Sequence, residues 1–201
     1  MNALVNYLRN DNRTLASTVT LLRRRRAVAP GAVAMPYVRA ERALLLTLGG
    51  LSLVESVVFS FAKFPAMAHM ILWFADGYTV LFTLGLLSSM ITRPHTVSPE
   101  ELRIRFGHYL DVRVPMGAVS SFRYEKKTYD AGAYVRFSGE EFMLVLDAET
   151  NVVVELTEPI AFTRPLGKQA SARVIAFYAD DPAAAAEACR DALSRHSSAT
   201  G

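Results

Sequence analysis

Two apolar runs separated by three residues constrain this chain more than any other feature. The first, "RALLLTLGGLSLVESVVFSFA", covers residues 42–62 and is 21 residues long; after Lys63, Phe64 and Pro65 the second runs 26 residues, from Ala66 to Ile91. At about 1.5 Å per helical residue, either run as a helix crosses the roughly 30 Å of a bilayer's hydrocarbon. The second exceeds that span, so it has to tilt or protrude. A break this short forces an antiparallel hairpin with both outer ends on one side. Arg23 to Arg26, Arg39, Arg42 and Arg93 lie on that side, whereas the opposite side carries only Lys63. The bias of basic residues toward the cytoplasm then predicts a multi-pass protein of the cytoplasmic membrane with both termini inside.

Charge follows the same division. Between Arg42 and Ile91 the charged residues are Arg42, Glu55, Lys63 and Asp76, and the net charge of +3 hides an arginine-rich start. Basic residues clustered just before an apolar run suit an anionic lipid surface. No helix-turn-helix, zinc finger or aromatic-rich RNA motif points to nucleic acid. "RRRR" at Arg23–Arg26 follows the apolar residues of the first segment, the reverse of a secretory signal. Residues 1–37 therefore read as a basic arm, broken amphipathic or poorly ordered, that ends in the Pro/Gly connector "AVAPGAVAMP". The single cysteine, Cys189, excludes an internal disulfide and reads as a small packed residue.

Past Arg93 the apolar period changes from that of a helix to that of a strand. Leu102, Ile104 and Phe106 alternate with Arg103 and Arg105, and Leu110, Val112 and Val114 alternate with Asp111 and Arg113. Only a three-residue turn, Gly107-His108-Tyr109, puts all six apolar residues on one face. It pairs Phe106 with Leu110, Arg103 with Arg113 and Arg105 with Asp111. Further strands are expected near 119–125, 134–137, 142–146, 152–156 and 172–178. "DDP" at Asp180–Pro182 then starts a helix that puts Ala185, Ala188, Cys189 and Ala192 on one small-residue face.

That order, with the stretches "VSPEELRIRFGHYLDVRVPMGAVSSFR" and "ARVIAFYADDPAAAAEACRDAL", resembles the bacterial pleckstrin-homology-like membrane proteins. The resemblance implies an α+β membrane protein. A two-helix transmembrane hairpin (residues 38–92) is followed by a cytoplasmic seven-stranded β-barrel or sandwich capped by a C-terminal helix (residues 96–195), and by a disordered tail (residues 196–201). In eukaryotic relatives of such domains one open end of the barrel, with its early loops, binds phosphoinositides or peptides, but Gly107-His108-Tyr109 has no Lys or Arg and so lacks the basic motif of that loop.

Two sets of residues are candidates for function. His69, Asp76 and Thr83 recur every seven residues on one face of the second run, opposite a stripe of Ser52, Ser56 and Ser60 with Glu55 alongside. By depth, Glu55 falls between His69 and Asp76. One reading makes this seam interhelical glue that also serves self-pairing or a larger membrane complex; the other makes Glu55, His69 and Asp76 an intramembrane active site of a transporter component or membrane enzyme. The second set, Arg23, Arg24, Arg25, Arg26, Arg103, Arg113, Arg123, Lys126 and Lys127, is a candidate anionic-lipid contact. No catalytic motif, metal site or cofactor motif is legible. The expectation is a membrane-anchored, non-catalytic interaction or assembly module whose partners are membrane lipid and its own copies.

Overall fold

A computed structural model describes residues 27–163 and 169–200. The basic arm up to Arg26 lies outside the described residues, and with it the expectation for Arg23–Arg26.

Both apolar runs form helices within a few residues of the expected bounds: α1 (Arg39–Ser60) and α2 (Ala66–Thr92). Pro65 sits just before α2, where its missing N–H leaves no helical bond unmade. Each helix is long and apolar enough to cross a membrane, and little of either is buried within the chain. Leu51, Val54, Val58, Met70 and Phe74 are among the large side chains they expose.

The hairpin is inserted between two neighbouring strands. β1 (Val33–Met35) precedes α1, β2 (His95–Val97) follows α2, and the two pair antiparallel with Met35 opposite His95. β3 (Glu101–Phe106) and β4 (Leu110–Pro115) extend this into a four-stranded sheet in the order β1-β2-β3-β4. The β3–β4 register is the expected one, including Arg103 opposite Arg113 and Arg105 opposite Asp111. β1 corrects the reading of its stretch as a plain connector. Three residues are too few to display a period of two, and β1 is recognisable only through its partner.

A second sheet has the order β5-β8-β9-β7-β6. Its members are β5 (Val119–Thr128), β6 (Val135–Ser138), β7 (Glu141–Leu144), β8 (Glu149–Thr163) and β9 (Gln169–Phe177). The described residues thus hold nine strands where seven were expected, the additions being β1 and β2. β7 pairs parallel with β9, and the other paired strands are antiparallel. The β8–β9 register breaks between Glu155 and Ile160, around Pro159, which has no N–H for the ladder. The sheets enclose a core that includes Ile104, Val112, Phe142, Val154, Ile175 and Phe177.

The C-terminal helix α3 (Pro182–Thr200) packs against β2, β5 and β8. Asp181 caps it by accepting the Ala184 N–H at 3.0 Å, and Pro182 fills the first helical position, as "DDP" suggests. Ala185, Ala186, Cys189 and Ala192 are buried and Ala188 partly so. The Cys189 thiol touches Met35 Sδ at 3.8 Å, and burial pushes its pKa up to about 12, which fits a packing role. Residues 196–200, expected to be disordered, continue the helix to Thr200.

Candidate functional site

The sheet domain grips the hairpin at its base through groups from four places in the chain. Val38, at the N-cap of α1, supplies no side-chain cap. Asp180 does so instead, across 141 residues of sequence, accepting the Arg39 N–H at 2.9 Å. Burial raises the Asp180 pKa, against the opposing pull of that hydrogen bond and of the Arg39 charge. One turn on, Glu41 is buried and accepts hydrogen bonds from the Tyr134 hydroxyl (3.1 Å) and the Asp147 N–H (3.4 Å). A cleft of about 390 Å³ beside it is lined by Glu41, Leu44, Tyr134, Arg136 and Asp147, among others.

Between the helix bases lies a buried aromatic pair, Tyr37 stacked on His95 with ring centroids 4.3 Å apart. The Tyr37 hydroxyl accepts the Gly107 N–H (2.8 Å) and donates to the Arg93 carbonyl (3.3 Å). His95 Nε2–H donates to the Tyr178 carbonyl at 3.1 Å, while its Nδ1 accepts the Arg105 N–H at 3.0 Å. Those partners require the neutral ring with its proton on Nε2. Burial, aided by the charge of Arg105, lowers the His95 pKa to about 3. The β3–β4 turn completes the junction: Ser89 of α2 bonds His108 Nδ1 at 3.1 Å, directly over Gly107.

Beside the junction, guanidinium groups crowd one carboxylate. Arg103 grips Asp111 with two bonds, Nε to Oδ1 at 3.2 Å and Nη2 to Oδ2 at 2.5 Å. Arg93 Nη2 reaches Oδ2 at 3.3 Å, and Arg105 Nε lies 3.7 Å from Oδ1. The Arg105 side chain is 3% exposed; its Nη1 donates to the Ala27 and Pro94 carbonyls at 2.7 and 3.2 Å, and its Nε has no hydrogen-bond partner among the described residues. Burial, then the charge of Arg103, lowers the Arg105 pKa. Burial also pushes the Asp111 carboxyl upward, but Arg103, Arg105 and Arg93 together outweigh it and hold the carboxyl below its usual range.

The basic residues expected to form one face divide between two sheets. Arg103 and Arg113 are on β3 and β4; Arg123, Lys126 and Lys127 are on β5 of the other sheet, each beside acids. Arg123 bonds Glu125 and Glu155, Lys126 lies 2.8 Å from Glu149, and Lys127 lies 3.9 Å from Glu141. Arg113 is exposed.

Within the hairpin, Ser56 donates to Asp76 Oδ2 at 2.6 Å across the two helices. His69 Nε2 donates to the Phe59 carbonyl at 2.9 Å, capping the last turn of α1. Thr83 spends its hydroxyl on its own helix and packs on Gly49, where a Cβ would come within 2.9 Å of it. Glu55 is not part of this seam: it is exposed, with no hydrogen bond or ion pair among the described residues. His69 and Asp76 share a face but have separate partners, and no group of three metal-ligating side chains assembles among the described residues. In bilayer or micelle, Asp76→Ala is expected to weaken helix pairing by about 0.6–2 kcal/mol, with Asp76→Asn retaining most of it. Equal losses in the two variants, read by thermal unfolding, would remove the Ser56 bond from the account.

Sequence reasoning missed Tyr37, Glu41 and His95 and gave Arg93 and Asp180 other roles, in membrane orientation and at the start of the C-terminal helix; all five act here across long sequence separations. The one available signal was the density of polar and aromatic residues next to the ends of the apolar runs. Comparison with family models, with curated proteins and with solved structures finds no match to this chain.

Proposed function

We propose that the chain is a membrane-anchored, non-catalytic interaction and assembly module. In this reading its hairpin spans the cytoplasmic membrane and holds a pleckstrin-homology-like sheet domain against the inner face. The observation that carries it is the insertion of two apolar helices between paired strands, with three residues (Pro36–Val38) leading into α1 and two (Arg93, Pro94) leading out of α2. Connections this short, braced by Asp180, Glu41, Tyr37 and His95, hold a domain at a fixed height and angle above a membrane. Arg39, Arg42 and Arg93 at the helix bases, against Lys63 at the turn, favour a cytoplasmic domain. Two sheets and a capping helix, in the expected order, support the pleckstrin-homology-like reading.

Glu55 favours assembly. An ionisable group on an apolar outer face is costly in hydrocarbon unless another helix covers it. A second copy or a larger complex would supply that cover, and it accounts for Glu55 turning away from the seam. An active site built on Glu55, His69 and Asp76 would need the three to converge, and they do not.

The test combines topology and assembly in native membranes. Tags placed after Gly201 and at Lys63 should be reached from opposite sides, the C-terminal one from the cytoplasm. Glu55→Leu should change the assembled mass in mild detergent while the hairpin still inserts. A C-terminus reached only from outside overturns the topology, and an unchanged mass overturns the role of Glu55.

A further inference from the structure

The cleft beside the base of α1 holds negative charge that the described residues do not balance. Glu41 is 5% exposed, and each of its oxygens accepts one hydrogen bond, from the Tyr134 hydroxyl and the Asp147 N–H, the pattern of an ionised carboxylate. Both donors are neutral, and Glu41 makes no ion pair among the described residues. A carboxylate this deeply buried is rarely left without a counter-charge. Asp130 and Asp147 line the same cleft, both exposed and both without an ion pair among the described residues. Arg136 is the basic residue among those that line it. Its Nε and Nη2 donate to the Ala133 and Asp130 carbonyls, and its guanidinium lies 5.5 Å over the Tyr129 ring. Three carboxylates and one guanidinium leave an excess of two negative charges (3 − 1), and the start of α1 offsets only about half a charge.

The dimensions of the cleft indicate which cation. Among the described residues no three acids, histidines or cysteines come close enough together to hold a metal ion, so these carboxylates do not converge on a point. They border a volume of about 390 Å³ instead, the size of a site for a small organic ligand. Each Glu41 oxygen keeps a lone pair after its one hydrogen bond, and that lone pair is satisfied by a further N–H donor. A protonated primary amine brings three such donors with its charge, whereas a quaternary ammonium brings none. Leu44, about one turn along α1 from Glu41, lines the cleft where the apolar run begins and is 49% exposed.

We propose that this cleft binds a primary ammonium group, held by Glu41 from within and by Asp130 and Asp147 at the rim. Two sources carry that group: the ethanolamine headgroup of a phospholipid and a free amine in solution. The lipid source rests on the membrane-anchored reading given above, in which Glu41 and Leu44 stand where α1 enters the bilayer. The amine site itself stands without that reading.

Probes that differ only in N-methylation test the site. The full chain is reconstituted in phosphatidylcholine nanodiscs with increasing phosphatidylethanolamine, and its thermal unfolding is followed. In detergent the same measurement uses millimolar glycerophosphoethanolamine against glycerophosphocholine. The ethanolamine probe should stabilise the chain beyond its choline counterpart. Protection by the lipid and not by the soluble probe assigns the headgroup, and equal protection by both assigns a free amine. Glu41→Gln keeps the shape and loses the charge, and should weaken the ethanolamine effect about tenfold, the value of one hydrogen bond to a charged group. Asp130→Asn and Asp147→Asn should each weaken it about two- to fivefold, as exposed charges do. Asp147 is exposed, so its variant reads the site even if Glu41→Gln impairs folding. In an inserted chain, equal effects of ethanolamine and choline in both media would overturn the site and leave the membrane-anchored reading standing. An ethanolamine effect unchanged by Glu41→Gln and Asp147→Asn would overturn it as well. A chain that fails to insert, yet is protected by glycerophosphoethanolamine more than its Glu41→Gln variant, would overturn the membrane-anchored reading while the amine site stands.

Discussion

His95→Ala is expected to destabilise the sheet domain by about 3–5 kcal/mol and to remove a pH dependence that the wild-type chain shows. The ring is fully buried, stacked on Tyr37 and edge-on to Phe177 at 5.1 Å, so its deletion leaves a cavity of aromatic size. It also strips the Arg105 N–H and the Tyr178 carbonyl of their partners, and unmade buried bonds add to the loss. The sign of the pH effect follows from the depressed pKa. Unfolded, His95 takes up a proton from about pH 6.5 downward; folded, it stays neutral to about 3. The unfolded state therefore binds one more proton across that window. Its contribution is complete above pH 6.5, falls by about 1.4 kcal/mol per unit as pH drops, and levels off below about 3. By pH 5, above most carboxylate titrations, His95 alone accounts for a loss of about 2 kcal/mol. Urea titration in micelles, followed by far-ultraviolet circular dichroism at pH 7 and pH 5, reads both numbers. A His95→Ala variant as pH-sensitive as wild type over that interval would show that the ring titrates freely in the folded chain.

The elements that could be read from the sequence are those whose signal is long or periodic. α1 and α2 show themselves through unbroken hydropathy, and β3 and β4 through six alternating apolar residues that admit a single register. β1 and β2 are three residues each, shorter than any period can reveal, and their pairing spans the whole hairpin. The acids at the start of α3 show a related limit. "DDP" identifies a cap correctly, but only the fold shows that Asp181 serves α3 while Asp180 serves α1. Glu55 went astray for a geometric reason: depth along the helix axis places it between His69 and Asp76, but each residue also turns about 100° around that axis. Adjacent to Ser56, which meets Asp76, Glu55 is carried off the seam by one such step. The arginines failed differently. Strand register correctly placed Arg103 opposite Arg113, yet Arg93 arrives at Asp111 from a helix end that no local pattern ties to β4.

Gly107→Ala is expected to cost about 2–4 kcal/mol and to loosen the hairpin from the sheet domain, with part of the loss recovered by a second substitution. Two separate penalties combine at this position. Its φ of +50° is left-handed, which costs a residue with a side chain about 1–2 kcal/mol. In addition, a Cβ here would stand 2.5 Å from Ser89 Oγ, closer than any real contact. Ser89 is fully buried and its hydroxyl is bonded to His108, so moving it breaks the link between the β3–β4 turn and α2. Ser89→Ala removes the obstructing oxygen and leaves the new Cβ 3.5 Å from Ser89 Cβ, an ordinary contact. The double variant should then retain only the left-handed penalty together with the lost hydrogen bond of about 1 kcal/mol, and so lose less than the sum of the two single variants. Thermal unfolding of the four proteins in micelles gives the coupling directly. Strict additivity would mean that the turn yields to a Cβ without disturbing α2, and the close packing of Gly107 on Ser89 would then not be what ties the helix to the sheet.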